Sequence, residues 1–505
     1  MLAALGIIKV NFASALICTT IPNFLIKVSE NLKNKVLSAL AWSSVDRVAQ
    51  QGTQFIIGII LARLLSPTDY GLMGMVMIFA TLSYVLVEGG LTAALVRTKN
   101  ITKEHTNTVF YSNLAVSTAL YLIFFFTAPL LANFFAQPKL VALIRVTNLA
   151  LIFNSLYIVP YGLIERDLDF KKLAKVNFIS TSISGFAGAA SAFYGAGVWA
   201  LVIQQTAYHF IRVICFYIWQ RWIPSLIFSR QIFKQYASFS IHILSSNMLN
   251  AVFNNLYTFL LGKFYTVRLL GYYTQANKIA ETSNFTFSAI FGKTSYNLFA
   301  KIHDEKDRML HAIRQIIQKS SLIVIPCTIF LIFTAKPIFF TLFGEKWLTS
   351  VPYFQLICIA NLFTCVYQIN NNALNSVGKS KESFKVELTK RGLILISVLA
   401  CFEYGVMALL IGYAISCFMA WFISLAQVKR HIGLKIGSQL KDIVPAMIWG
   451  IIISYVGYLC GLCTENLYLK LAVQGAVSSI TYLGIIYIFH KDLLEYILMF
   501  LKIKK

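Results

Sequence analysis

Acidic residues are scarce in this chain. Twenty Asp and Glu stand against 44 Lys and Arg over 505 residues, and the cluster Glu165, Asp167 and Asp169 sits among lysines at the end of an apolar stretch, where it reads as solvated. The pairs of carboxylates that acid–base catalysis uses are not in evidence. All seven histidines stand apart, and no Gly-rich phosphate loop, His-Glu-x-x-His or Ser-His-Asp pattern occurs. Nine cysteines make no framework. Cys215, Cys327, Cys358, Cys365, Cys401 and Cys417 are scattered through apolar stretches, and Cys460-x-x-Cys463 has no second pair or nearby histidine. They read as small packing residues, so no disulfide scaffold, metal or cofactor is expected. Long polar loops are also missing. The longest external connection, around Lys336 to Ser350, runs to about sixteen residues, too short for an outside active site. These absences argue against an enzyme.

What the chain has in excess is apolar sequence, with 58% hydrophobic residues, 13% charged residues and a mean hydropathy of +0.69. No soluble protein of this size needs so much apolar surface. Windows of about 20 apolar residues, the length that crosses hydrocarbon as a helix, give about fourteen spans after Leu37. The expected organisation is an N-terminal segment 1–37, a six-helix bundle 38–222, a cytoplasmic linker 223–234, a second six-helix bundle 235–428, two additional helices 443–489 and a basic tail 490–505.

The formal charge of +24 does not indicate nucleic acid, because the cations lie in alternate loops. Even-numbered connections and both termini hold roughly 29 Lys or Arg and odd-numbered ones roughly 6, which places both termini in the cytoplasm. Residues 1–27 fit neither a signal peptide nor a clean span, since Lys9, Asn11, Pro22 and Asn23 interrupt the apolar run. Translation is expected to begin near Val28; the intact mass of the native protein tests this.

Polar residues within spans carry the functional signal, because facing lipid costs them several kcal/mol. In the first span Ser43, Arg47, Gln50 and Gln54 recur at helical spacing and form a stripe, while Asp46 points elsewhere. Asn247, Asn250 and Asn254 share a face of the seventh span, as do Asn361, Gln368, Asn372 and Asn375 in the tenth. Amide stripes suit a ligand with many hydroxyls. Arg47, Arg145 and Lys278 are cations within spans that could receive a diphosphate. Lys293 is a further one, whereas Arg212, Arg314 and Lys319 are expected to snorkel to the cytoplasmic side. Glu88, before Gly89-Gly90, is expected to pair with a Lys or Arg, and Glu281 stands three residues from Lys278, a spacing that permits an intrahelical ion pair. Either carboxylate could instead sense a coupling ion.

The segment Leu61-Ala-Arg-Leu-Leu-Ser-Pro-Thr-Asp-Tyr-Gly71 has a gapless echo in Leu261-Gly-Lys-Phe-Tyr-Thr-Val-Arg-Leu-Leu-Gly271. Cation, hydroxyl and turn glycine keep their places, as expected of a transporter built from two repeats. Pro67 has no counterpart, since Val267 stands there. The first of these segments, with Gly89-Gly-Leu-Thr-Ala-Ala-Leu95, Arg166-Asp-Leu-Asp-Phe-Lys-Lys172, Gly195-Ala-Gly-Val-Trp-Ala-Leu-Val202 and Gly344-Glu-Lys-Trp347, resembles the Wzx-type (WzxC-like) oligosaccharide flippases of the multidrug/oligosaccharidyl-lipid/polysaccharide transporter superfamily. The resemblance implies an all-α membrane fold with two pseudo-symmetric six-helix bundles around a central cavity plus two C-terminal helices. It implies a cargo of undecaprenyl-diphosphate-linked oligosaccharide, moved from the cytoplasmic to the outer leaflet of the bacterial inner membrane for polysaccharide assembly. Membrane lipids, and a polysaccharide polymerase with its chain-length machinery, are the partners it would add. Two alternatives stay open: a drug or metabolite exporter of the same superfamily, and a membrane enzyme acting on lipid-linked sugar.

Overall fold

The structure is a computed structural model that describes residues 30–88, 90–98 and 100–489. The proposed start near Val28 and the basic tail 490–505 lie outside the described residues, as does the side chain of Lys293. Every described element is helical: α1 Glu30–Leu64, α2 Pro67–Glu88, α3 Leu91–Arg97, α4 Lys103–Phe134, α5 Leu140–Thr147, α6 Leu149–Arg166, α7 Phe170–Phe193, α8 Trp199–Gln220, α9 Arg230–Phe264, α10 Val267–Lys301, α11 Lys306–Phe333, α12 Ala335–Phe343, α13 Val351–Asn361, α14 Thr364–Ser376, α15 Ser380–Cys401, α16 Gly405–Ile432, α17 Ile436–Leu462 and α18 Leu467–Phe489.

The expected all-helical membrane fold is present. Among the described residues nine segments are long and apolar enough to cross a membrane, one of them holding both α15 and α16. Helices α1, α7, α9 and α10 are absent from that set. They lie over expected spans, and three of them carry the polar residues singled out from the sequence, which lowers their hydropathy without shortening them. Some expected spans are broken helices. The fourth divides at Asn148, whose Nδ2 donates back to the carbonyl of Ile144 at 2.9 Å and competes with the regular ladder. The tenth divides into α13 and α14.

By contacts the chain forms two compact units, Phe24–Thr274 and Gln275–Lys505, with the boundary inside α10. In the first, α8 packs on α7 and α6, α1 on α7, and α9 on α2, α3 and α4. Helix α9, placed by the repeat at the head of the second bundle, thus belongs by packing to the first unit. One of its cores joins Leu95, Phe110, Ile158 and Val159 to Ile232 and Tyr236 of α9. In the second, α11 packs on α17, α15 on α16, and α17 on α18, around a core that includes Ile313, Ile317, Ile369, Leu374, Trp421 and Leu425.

Both hairpins of the sequence echo fall in the first unit, and they meet. At the first, Ser66 N and Oγ donate to Asp69 Oδ2 at 2.9 and 2.7 Å, closing a box around Pro67 at the helix start. At the second, Leu269 N donates to Thr266 Oγ1 at 3.3 Å, and no carboxylate completes the box. A Cβ added to Gly71 would stand 2.0 Å from the carbonyl oxygen of Val267, and one on Gly271 would stand 1.7 Å from that of Pro67. Residue i of one repeat therefore meets j of the other, and j meets i, the signature of a two-fold contact. Only glycine permits backbones this close.

Candidate functional site

The fixed geometry of the shared segments lies in turns. Gly90, Gly195, Gly197 and Gly344 all have positive φ, from +55° to +94°, a region where a side chain is strained. Asp69 stands beside Gly197, whose added Cβ would be 3.3 Å from Oδ1. Trp347 is fully buried. These segments shape the scaffold.

The residues expected to meet cargo separate into two groups. Arg47, Gln54, Asn247, Asn250, Asn254 and Lys278 are exposed. Gln50 is half-buried and its Nε2 donates to Tyr208 Oη at 3.2 Å. The other two are engaged by the protein itself. Arg145 lies on α5, where its Nε donates to the carbonyl of Phe125 at 3.2 Å and its guanidinium covers the Phe125 ring at 4.2 Å. Asn372 Nδ2 donates to the carbonyl of Gly292 and to Ser295 Oγ at 2.8 and 2.9 Å, tying α14 to α10.

Several sequence expectations are corrected. The Lys278–Glu281 pair is not formed among the described residues; Glu281 instead accepts from Asn277 Nδ2 at 2.9 Å, one helical turn away. Glu88 is exposed and has an amide for its neighbour, Asn154 Nδ2 at 3.4 Å, rather than a cation. Arg314 does not snorkel free. Its Nε and Nη2 each donate at 2.9 Å to the two oxygens of Asp442, a fork that fixes α17 to α11. Lys385, Lys390 and Arg391 lie on α15. Arg391 is buried and donates to Glu387, whose other oxygen accepts from Tyr367 Oη at 2.7 Å.

Arg212 departs furthest from expectation. Its guanidinium is enclosed by rings, with Cζ 4.5 Å from the Tyr157 centroid, 5.4 Å from Tyr208, 5.5 Å from Phe216 and 5.7 Å from Tyr161. It donates from Nη1 to Tyr157 Oη at 3.1 Å. Tyr157 Oη also lies 3.0 Å from His209 Nδ1, and His209 Nε2 lies 3.0 Å from Tyr84 Oη and 3.4 Å from Gln205 Nε2. A hydrogen-bonded chain thus joins α8, α6 and α2. Beside it, both oxygens of Asp46 accept from Asn177 Nδ2 at 3.0 and 3.2 Å, joining α1 to α7. The available signal was the recurrence of Tyr157 and Tyr161 with His209, Arg212 and Phe216 at helical spacing on two spans; a lone arginine near a span end concealed it.

Exposed amides and cations on helices that overlie expected spans, together with an aromatic, hydrogen-bonded interior in the first unit, suit a carrier of polar cargo. A family profile described as polysaccharide biosynthesis protein matches residues 60–352. The chain belongs to that family. It is 22% identical to the teichuronic acid biosynthesis protein TuaB of Bacillus subtilis (strain 168), over 90% of this chain and 95% of the relative. It is 23% identical to the succinoglycan biosynthesis transport protein ExoT of Rhizobium meliloti (strain 1021), over 92% and 95%. Among solved structures, the lipid II flippase MurJ in an inward closed conformation superposes with a TM-score of 0.74 at 16% identity, covering 89% of this chain and 99% of MurJ. The fold is therefore shared with that flippase, the all-α membrane fold that the resemblance implied, and by family the chain is a polysaccharide biosynthesis protein.

Proposed function

We propose that this protein flips undecaprenyl-diphosphate-linked oligosaccharide repeat units from the cytoplasmic to the outer leaflet of the bacterial inner membrane, by alternating access, with both termini in the cytoplasm. The observation that carries this reading is a family match over most of the chain joined to a fold shared over nearly the whole of a lipid II flippase. The physical need is plain, since a charged, hydroxyl-rich head cannot cross hydrocarbon without protein contacts to replace its water.

Arg47 and Lys278, exposed and free of ion pairs among the described residues, are the proposed diphosphate contacts. Arg145 joins them only by releasing Phe125. Gln50, Gln54, Asn247, Asn250 and Asn254 would serve sugar hydroxyls, while Asn372 reaches cargo only by giving up Gly292 and Ser295. Glu88 and Glu281, each held by an amide, are the proposed sensors of a coupling ion.

The test is the lipid extract of a strain lacking the gene, compared by mass spectrometry with the complemented strain. Accumulation of diphosphate-linked glycan is expected and would identify the repeat unit. An unchanged lipid-linked pool, with normal surface polysaccharide and no second flippase gene, would point to an exporter.

A further inference from the structure

The interior of the first unit holds an arginine enclosed by rings. Arg212 makes no ion pair among the described residues, and its Nε is buried with no partner there. Its faces are covered by rings, so the N–H groups left over lie in the guanidinium plane and address whatever stands at its edge. Among the described residues Glu88 accepts from Asn154 Nδ2 at 3.4 Å. Asn154, Tyr157 and Tyr161 lie on α6 at spacings of three and four, hence on one face, so that face presents the carboxylate's amide and the guanidinium's phenol a turn apart. Tyr84, Tyr161, Tyr208 and Gln50 are only half-buried here.

Carboxylates held by amides, a buried guanidinium N–H with no partner among the described residues, and half-buried tyrosine rings form a surface of a particular kind. A phosphate would meet Glu88 and Asp46 as like charges. A neutral sugar ring would not. Its hydroxyls donate to a carboxylate and accept from a guanidinium, and its apolar C–H face lies on an aromatic ring. We infer that the wall formed by Arg212, Tyr161, Tyr208, Gln50 and Glu88 reads a sugar ring of the cargo, apart from the diphosphate contacts at Arg47 and Lys278. This rests on the flippase reading and adds to it the place where the glycan is recognised. Arg212 is then the group that distinguishes a glycosylated carrier from a bare one.

The experiment compares the purified full chain, in nanodiscs, for binding of two lipids by native mass spectrometry: the glycolipid that accumulates in the deletion strain, and undecaprenyl diphosphate without sugar. Wild type should prefer the glycolipid. Arg212→Gln should weaken glycolipid binding by on the order of 10- to 100-fold while retaining the bare lipid, the effect of losing hydrogen bonds from a charged donor. Gln50→Leu removes from the same wall an amide that also donates to Tyr208 Oη, while leaving Arg212 in place, and should reduce the preference by several-fold. Equal preference in wild type and both variants would overturn the sugar assignment. So would equal loss of both lipids, which would mean a structural or phosphate role. Failure of wild type to bind either lipid would overturn the flippase reading, and this inference with it.

Discussion

The crossing of the two repeat hairpins yields the sharpest prediction. Gly271→Ala puts a methyl group 1.7 Å from the carbonyl oxygen of Pro67 and 3.1 Å from the nitrogen of Gly71. Ordinary contact requires the helices to separate by about 1.5 to 2 Å at that point. The opposing atoms are backbone, so no side chain can rotate out of the way, and overpacking of this kind costs about 1–3 kcal/mol. Replacing glycine within a helix returns up to about 1 kcal/mol, leaving a net loss of about 1–2 kcal/mol. Gly71→Ala meets Val267 in the same manner and should cost a similar amount. The double variant should cost less than the sum, because one separation relieves both clashes. Gly52→Ala is the control: nothing lies within 4 Å of its added Cβ, so it should leave stability unchanged or raised. Unfolding of purified protein in mixed micelles, followed by circular dichroism, measures all four. A Gly271→Ala protein as stable as wild type, or strict additivity in the double variant, would refute the reciprocal contact.

Other perturbations follow from the second unit. Removing the cation from the Arg314–Asp442 fork should cost more than removing the anion, because Asp442 is 7% exposed and cannot regain water whereas the Arg314 side chain is 47% exposed. Arg314→Gln is expected to lose about 2–4 kcal/mol and Asp442→Asn about 1 kcal/mol, read by the same unfolding assay. On α17, Gly457 and Gly461 face Ser478 and Gln474 of α18 closely enough that an added Cβ would be 2.1 and 2.7 Å from their side chains. Gly461→Leu should therefore loosen α18, measured as faster proteolysis of the C-terminal end, since small residues are what let membrane helices approach. Asn372→Ala should cost about 1–2 kcal/mol if its bonds to Gly292 and Ser295 are structural; unchanged stability with weakened cargo binding would return it to the cargo surface.

The class of fold was legible because hydropathy and length constrain a membrane helix so tightly, and the repeat was legible in Gly71 and Gly271 because close backbone approach leaves no other residue type. Burial was not legible. Helical periodicity places Arg47, Gln50 and Gln54 on one stripe, yet it cannot say that Tyr208 holds Gln50 while its neighbours stay open. Spacing permitted Lys278 to pair with Glu281 three residues on, but Asn277, four residues before it, takes the carboxylate. Partners from distant sequence decided the remaining cases, as with Asp442 for Arg314 and Phe125 for Arg145.

Each unit contains an interior arginine bound to a tyrosine network, and the two solve the cost of a buried charge differently. Arg391 is neutralised on its own helix by Glu387, which Tyr367 also holds, so all three are satisfied without a ligand. A closed arrangement of that kind resists exchange, because removing any member strands the others. Arg212 has only phenol and π faces among the described residues, and these stabilise a cation by less than an ion pair does. That incomplete compensation is the condition under which a cargo group improves the protein's own electrostatics on entering and restores the original arrangement on leaving. Exchange without a deep trap is what a carrier needs, since tight binding of one state would halt the cycle.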